Sequence, residues 1–390
     1  MNARVLHLVL ALMFAAANLA VAQQPDSSDK GQKNCEDSGH SGWMALARRW
    51  FASDDTVPTF TIVFGGIKPG SGVALGPAVA YRFTDGSFVQ ARAEYSIHSY
   101  KLAEVRFQSR AIGRMHAVIA TRARWQDAPA VALYELGRDA PEARALYGER
   151  KTEFSAAAML RPTAVARAAA GIGYERYRVD DGRTDPSEDE SLTFVPALPG
   201  LGTRPLFLHT FVAAGVDTRR SGDLSLRGSR VSVAAHRFSD RRDGRFSFSR
   251  VVVEGEQLVP VAHERGALSL IGTMWTSSGT SVPFFLMPTL GGGDYLRGYR
   301  TYRFRDRDAI VLTAEMRWRV RENVDAAAFV DDGTVAPRLA SIRADAMRVT
   351  GGVGVRVHTA KTTIFRADIA RGAEGFQVLI GFSSRVSAVF

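Results

Sequence analysis

The sequence predicts an all-β protein, a transmembrane antiparallel β-barrel of about sixteen strands with a short N-terminal helix before it. Three observations carry that expectation. From Pro58 onward, stretches of roughly ten residues alternate with period two, separated by polar or Gly/Pro turns. The face opposite the apolar one is rich in Arg and Glu on many successive stretches. No helical pattern is present in this region to cover an open sheet. A closed barrel with an apolar lipid face and a charged lumen accounts for all three.

The composition sets the outer limits. The chain has 390 residues, 46% hydrophobic and 23% charged, which is enough apolar surface to fold. Mean hydropathy is −0.08, and one apolar run, at the N-terminus, is longer than about twelve residues. A helical membrane protein is thereby excluded, whereas a barrel needs only alternate apolar residues. The single cysteine, Cys35, excludes an intramolecular disulfide framework and a Cys-rich zinc site. The net charge of +10 suits anionic partners without choosing among nucleic acid, lipid and small anions.

Residues 1–22 read as a secretory signal. Arg4 gives the positive start, the run from Leu8 to Ala17 the apolar centre, and Ala20-Val21-Ala22 the cleavage site. Export argues against a nucleic-acid partner. Gln23 follows the cleavage site where a lipoprotein needs Cys, so Cys35 is not a lipid anchor. Residues 23–57 are expected to form a polar periplasmic lead-in. Within it Trp43, Leu46, Ala47, Trp50 and Phe51 recur at helical spacing, with Arg48 and Arg49 off the stripe. The pattern fits an interfacial helix, Trp43 and Trp50 at the lipid boundary and Arg48 and Arg49 towards phosphates; it fits equally a helix resting on the barrel.

Residues 58–390 form the expected barrel. Val89, Ala91, Ala93, Tyr95 and Ile97 alternate with Gln90, Arg92, Glu94 and Ser96. Met316, Trp318 and Val320 alternate with Glu315, Arg317 and Arg319, and Val353, Val355 and Val357 with Arg356 and His358. Arg92, Glu94, Arg317 and Arg319 are expected inside, Met316 and Trp318 outside. Residues 161–178 and 206–216 alternate poorly. The long connections, expected outside the cell, are residues 126–152, 180–204 and 284–307. The second is acidic, as a solvated loop would be, and a role in ion or lipopolysaccharide bridging is the alternative.

The third connection carries Gly291-Gly292-Gly293-Asp294-Tyr295-Leu296-Arg297-Gly298-Tyr299. Glycines let it fold back on itself into a lumen too wide for wall side chains to fill. An inserted guanidinium needs carboxylates, and Glu315 and Asp331 are the lumen-facing ones on the next two strands.

These pieces, with Phe329-Val330-Asp331-Asp332-Gly333 and a last strand ending Gly381-Phe382, resemble the bacterial surface antigen barrel. That barrel belongs to the outer-membrane assembly-factor superfamily, which includes BamA, TamA and two-partner secretion transporters. The resemblance implies sixteen strands and a sixth extracellular loop that enters the lumen. It also implies that the loop's Arg, here Arg297 beside Gly298 and Tyr299, contacts acidic residues on strands twelve and thirteen, here Glu315 and Asp331. It further implies a weak seam between first and last strands, used by some members to insert or export proteins. Members with known transport work carry polypeptide-transport-associated domains before the barrel. Residues 23–57 are too short for one, so a stand-alone barrel with a periplasmic partner is expected.

Other chemistry finds no support in the pattern. There is no G-x-S-x-G stretch, the histidines are scattered without metal-ligand spacing, and no Gly-rich loop opens a helix. No enzyme, metal or cofactor is therefore expected. The expectation is an outer-membrane barrel aiding insertion or translocation of proteins or lipids, in contact with outer-membrane lipid and lipopolysaccharide. A passive channel or porin and a structural surface antigen are the alternatives.

Overall fold

The structure is a computed structural model, and it describes residues 59–181, 198–219, 225–262, 265–358 and 363–382. The leader at residues 1–22, the lead-in at residues 23–57 and the expected helix with Trp43, Arg48, Arg49 and Trp50 lie outside the described residues. Among the described residues the helical elements are short 3-10 turns, such as Phe284–Leu286.

The chain runs through β1 (Thr59–Gly65), β2 (Ala74–Arg82), β3 (Phe88–Ser96), β4 (Lys101–Gln108), β5 (Val118–Leu133) and β6 (Ala145–Leu160). It continues with β7 (Ala166–Asp181), β8 (Leu206–Asp217), β9 (Gly228–Asp240), β10 (Phe248–Val261) and β11 (Gly266–Gly279). Two short strands follow in the long loop, β12 (Thr289–Leu290) and β13 (Phe304–Arg305). The wall then resumes with β14 (Asp308–Arg321), β15 (Val324–Ala336), β16 (Arg348–His358), β17 (Thr363–Gly372) and β18 (Gly375–Phe382). Apart from β12 and β13, the strands make one sixteen-stranded meander, each paired with the next in sequence. The ends β1 and β18 come into contact without a ladder between them among the described residues.

Alternation becomes orientation. Phe60, Ile62, Leu75, Tyr95, Phe154, Trp318, Val330, Val353 and Val378 are exposed on the outer face. Their opposite-parity neighbours turn inward, where Glu94, Glu104, Glu153 and Glu175 are buried. These carboxylates are met by cations from their own and adjoining strands. Arg92 pairs with Glu94 and Glu104 at 2.9 and 3.0 Å, and Lys151 bridges Glu153 and Glu175 at 2.8 and 3.0 Å.

One expected loop is largely sheet. Residues 126–152 were read as a connection, but β5 and β6 are each 16 residues long and only residues 134–144 link them. About ten residues cross a bilayer, so the rest of these strands stands in water. There the pattern inverts. Arg150 and Arg178 point out, while Tyr147, Tyr177 and Val179 point in. They join Tyr100, Phe207, Phe248 and Phe284 in an apolar cluster inside the barrel, at the end where residues 134–144 link β5 to β6. The poorly alternating residues 161–178 and 206–216 are β7 and β8 in the main, their small Ala and Gly residues blurring both faces.

Candidate functional site: the loop lock in the lumen

The connection from β11 to β14 is a folded-in hairpin. Thr289 pairs with Arg305 and Leu290 with Phe304. Gly291 and Gly292 follow at φ of 106° and 98°, a left-handed region that favours glycine. A side chain at Gly291 would strike the Arg300 carbonyl. The Gly292 amide donates to the Tyr299 carbonyl at 3.0 Å, and the Tyr299 amide to the Leu296 carbonyl at 3.0 Å. Arg297 and Gly298 are thus the two central residues of a tight turn at the tip.

This turn aims Arg297 at the wall. Its main-chain N–H donates to Asp331 Oδ2 at 3.0 Å, its Nε to the same oxygen at 2.9 Å, and its Nη2 to Oδ1 at 2.7 Å. Nη1 donates to Glu315 Oε2 at 2.6 Å. The guanidinium also lies over the Phe329 ring, 3.3 Å from its centre. Asp331 is fully buried, and the Thr313 hydroxyl donates to it at 2.9 Å. Gly298 is needed because a Cβ there would lie 2.5 Å from the Arg371 carbonyl carbon and the Gly372 nitrogen on β17. Tyr299 is buried edge-on against Phe304, with ring centres 4.9 Å apart.

The structure therefore brings Arg297, Gly298, Tyr299, Glu315 and Asp331 into one cluster. Sequence reasoning missed two further members. Arg356 on β16 donates to Glu315 at 3.1 Å and to Asp368 on β17, extending the network across four strands. Their inward parity was visible, but not which residue each would meet. The loop also holds the last hairpin. Arg303 donates to Glu374, between β17 and β18, at 2.7 Å and to the Ala140 carbonyl at 2.7 Å. Arg366 on β17 donates to Asp294 at 2.9 Å. A cavity of about 710 Å³ lies beside the lock, lined by Arg230, Glu254, Glu315, Arg317, Arg356 and Arg366 among others.

Two histidines that look scattered in sequence are neighbours in space. His209 Nε2 and His236 Nδ1 are 3.0 Å apart, and His209 Nδ1 is 2.9 Å from Glu175. They sit on adjoining strands, so no short spacing announces them. Among the described residues no three metal-ligating side chains gather at one point.

Residues 82–383 match the Omp85 superfamily domain. Solved structures share the fold at low identity. BamA from Haemophilus ducreyi lacking POTRA domains 1-3 is 11% identical, with a TM-score of 0.63 over 84% of this chain and 70% of that one. CdiB from Escherichia coli is 12% identical, with a TM-score of 0.56 over 84% of this chain and 62% of that one. CdiB from Acinetobacter baumannii is 10% identical, with a TM-score of 0.53 over 83% of this chain and 58% of that one. The chain thus spans less than two thirds of either CdiB. No curated protein matches it by sequence. With a superfamily match covering most of its length, the strand order and the loop described above, the chain belongs to the Omp85 superfamily.

Proposed function

We propose that the chain is a non-enzymatic barrel of the bacterial outer membrane that helps insert or translocate other proteins through the seam between β1 and β18, with a periplasmic partner delivering the client. The observation that carries this reading is that β1 and β18 touch without a ladder among the described residues, while every other pair of neighbouring wall strands is hydrogen-bonded. A strand edge without a continuous ladder is a template for another strand. The long connection of residues 280–307 supports reading its end of the barrel as the outside and the other end as the periplasmic one. The apolar cluster at the outer end supports a plugged lumen over an open pore.

The test joins the seam. Cysteine pairs, one at residues 61–63 and one at residues 377–379, are placed in a Cys35→Ser background. Vesicles carrying the reduced barrel should speed folding of a urea-unfolded eight-stranded barrel, and oxidation should abolish the gain. Equal rates before and after oxidation would overturn the seam. A passive channel is the second reading, favoured by the charged cavity of about 710 Å³. Steady anion-selective current in planar bilayers, with no effect on client folding, would establish it. Neither activity would leave a structural surface antigen in contact with lipopolysaccharide.

A further inference from the structure

We propose that the periplasmic rim over β2 to β7 carries a binding surface for acidic phospholipid headgroups. Three turns build it, joining β2 to β3, β4 to β5 and β6 to β7. They are tied to one another. The Arg110 amide donates to the Ser87 hydroxyl at 3.1 Å, and the Arg161 amide to the Met115 carbonyl at 2.8 Å. Residues far apart in sequence thereby form one face.

That face is basic and apolar at once. Arg82, Arg110, Arg114 and Arg161 are exposed on it, as are Phe83, Ile112 and Met115. The single carboxylate of these turns, Asp85, is taken by the Ser87 amide and hydroxyl at 2.9 and 3.0 Å. Arg114 and Arg161 form no ion pair among the described residues. Four cations against one carboxylate, which also lies within electrostatic reach of Arg110, set beside exposed apolar side chains, fit an anionic amphiphile.

Continuity with the lipid face favours lipid over an acidic protein. Phe83 packs against Tyr81 with ring centres 4.9 Å apart, and Val105 and Ile119 lead the exposed apolar band down to the same turns. At such a margin an arginine stem lies along acyl chains while its planar fork reaches a phosphate. The opposite rim makes the contrast. The turn from β9 to β10 also has Arg241, Arg242 and Arg245 exposed, but its aromatic residues Phe246 and Phe248 are buried in the outer cluster. The β9–β10 turn carries charge without exposed aromatic side chains, and the rim over β2 to β7 carries both charge and exposed apolar side chains.

The inference rests on the membrane reading, so the experiment separates the two. The barrel and an Arg110→Gln/Arg114→Gln/Arg161→Gln variant are folded in equal phosphatidylglycerol and phosphatidylethanolamine, stripped by detergent, and weighed with retained lipid by native mass spectrometry. A basic residue at an anionic surface contributes roughly fivefold in affinity. The retained phosphatidylglycerol to phosphatidylethanolamine ratio should fall at least fivefold in the variant. It should hold in an Arg241→Gln/Arg242→Gln/Arg245→Gln control. For the unaltered protein, the ratio should also fall in 1 M salt, where the screening length shrinks to about 3 Å. A smaller fall, an equal fall in the control, no salt effect, or retention of an acidic protein in place of lipid would overturn the proposal. Failure of the unaltered chain to fold in phosphatidylcholine alone would instead overturn the membrane reading.

Discussion

Replacing Arg297 by Ala tests whether the loop is held by one shared charge network. The guanidinium and the main-chain N–H of Arg297 supply three bonds to Asp331 and one to Glu315. After Arg297→Ala, fully buried Asp331 keeps the N–H of residue 297 and the Thr313 hydroxyl, but no cation within salt-bridge distance among the described residues. Breaking a buried pair costs about 3–5 kcal/mol. Glu315 lines the adjoining cavity and keeps Arg356 at 3.1 Å, so the low end, about 3 kcal/mol, is expected. Asp331→Ala leaves Arg297 with Glu315 at 2.6 Å and the Phe329 face, and should cost about 2–3 kcal/mol. Glu315→Gln, which keeps shape and one acceptor, should cost about 1 kcal/mol. The double variant Arg297→Ala/Asp331→Ala should be little worse than Arg297→Ala alone. The assay is the urea dependence of the folded band on semi-native gels, with trypsin cleavage at exposed Arg300 reporting loop release. Additive losses in the double variant, or a Glu315→Gln loss equal to that of Arg297→Ala, would refute the network.

Three further outcomes follow from the same geometry. Gly298→Ala places a methyl 2.5 Å from β17 backbone atoms that cannot yield, so it should cost about 1–3 kcal/mol and speed cleavage at Arg300. Glu374→Gln weakens the 2.7 Å bond from Arg303, by about 1 kcal/mol, and should speed amide exchange in β17 and β18 but not in β14 and β15. Val330→Arg, beside Asp331 but on the lipid face, should cost about 2–4 kcal/mol near the midplane, and spin labels at positions 316 and 317 should report lipid and water respectively.

The barrel was legible because strand parity is a local property. Trp318 and Val320 point out and Glu315 and Arg317 line the cavity, as period two dictates. The lock was legible for a different reason: an Arg on a glycine-rich loop and two inward carboxylates leave few partners to choose from. What sequence reading missed lies where the solvent changes. In the outer parts of β5, β6 and β7 water replaces lipid, so Tyr147 and Tyr177 turn in and Arg178 turns out. A rule of apolar residues outward reads such a segment as a loop. His209 and His236 were missed because pairing between strands, not spacing along one, sets their 3.0 Å approach.

The three attachments of the loop differ in strength, and that difference would order any opening of the seam. Asp294 and Arg366 form a largely exposed pair at 2.9 Å, worth about 0–1 kcal/mol. Arg303 and Glu374 are mostly buried, and a charged bond there is worth about 1.5–3 kcal/mol. The Arg297 cluster is tied to β14 and β15 through Glu315 and Asp331 and stands at about 3 kcal/mol or more. A β17–β18 hairpin that swings out breaks the first two, and with them the bond from Arg356 to Asp368, but leaves the bonds of Arg297 to Glu315 and Asp331 in place. The loop then stays in the lumen while the edge of β18 is freed, so, under the proposed function, a client strand would be admitted at the seam without unplugging the barrel.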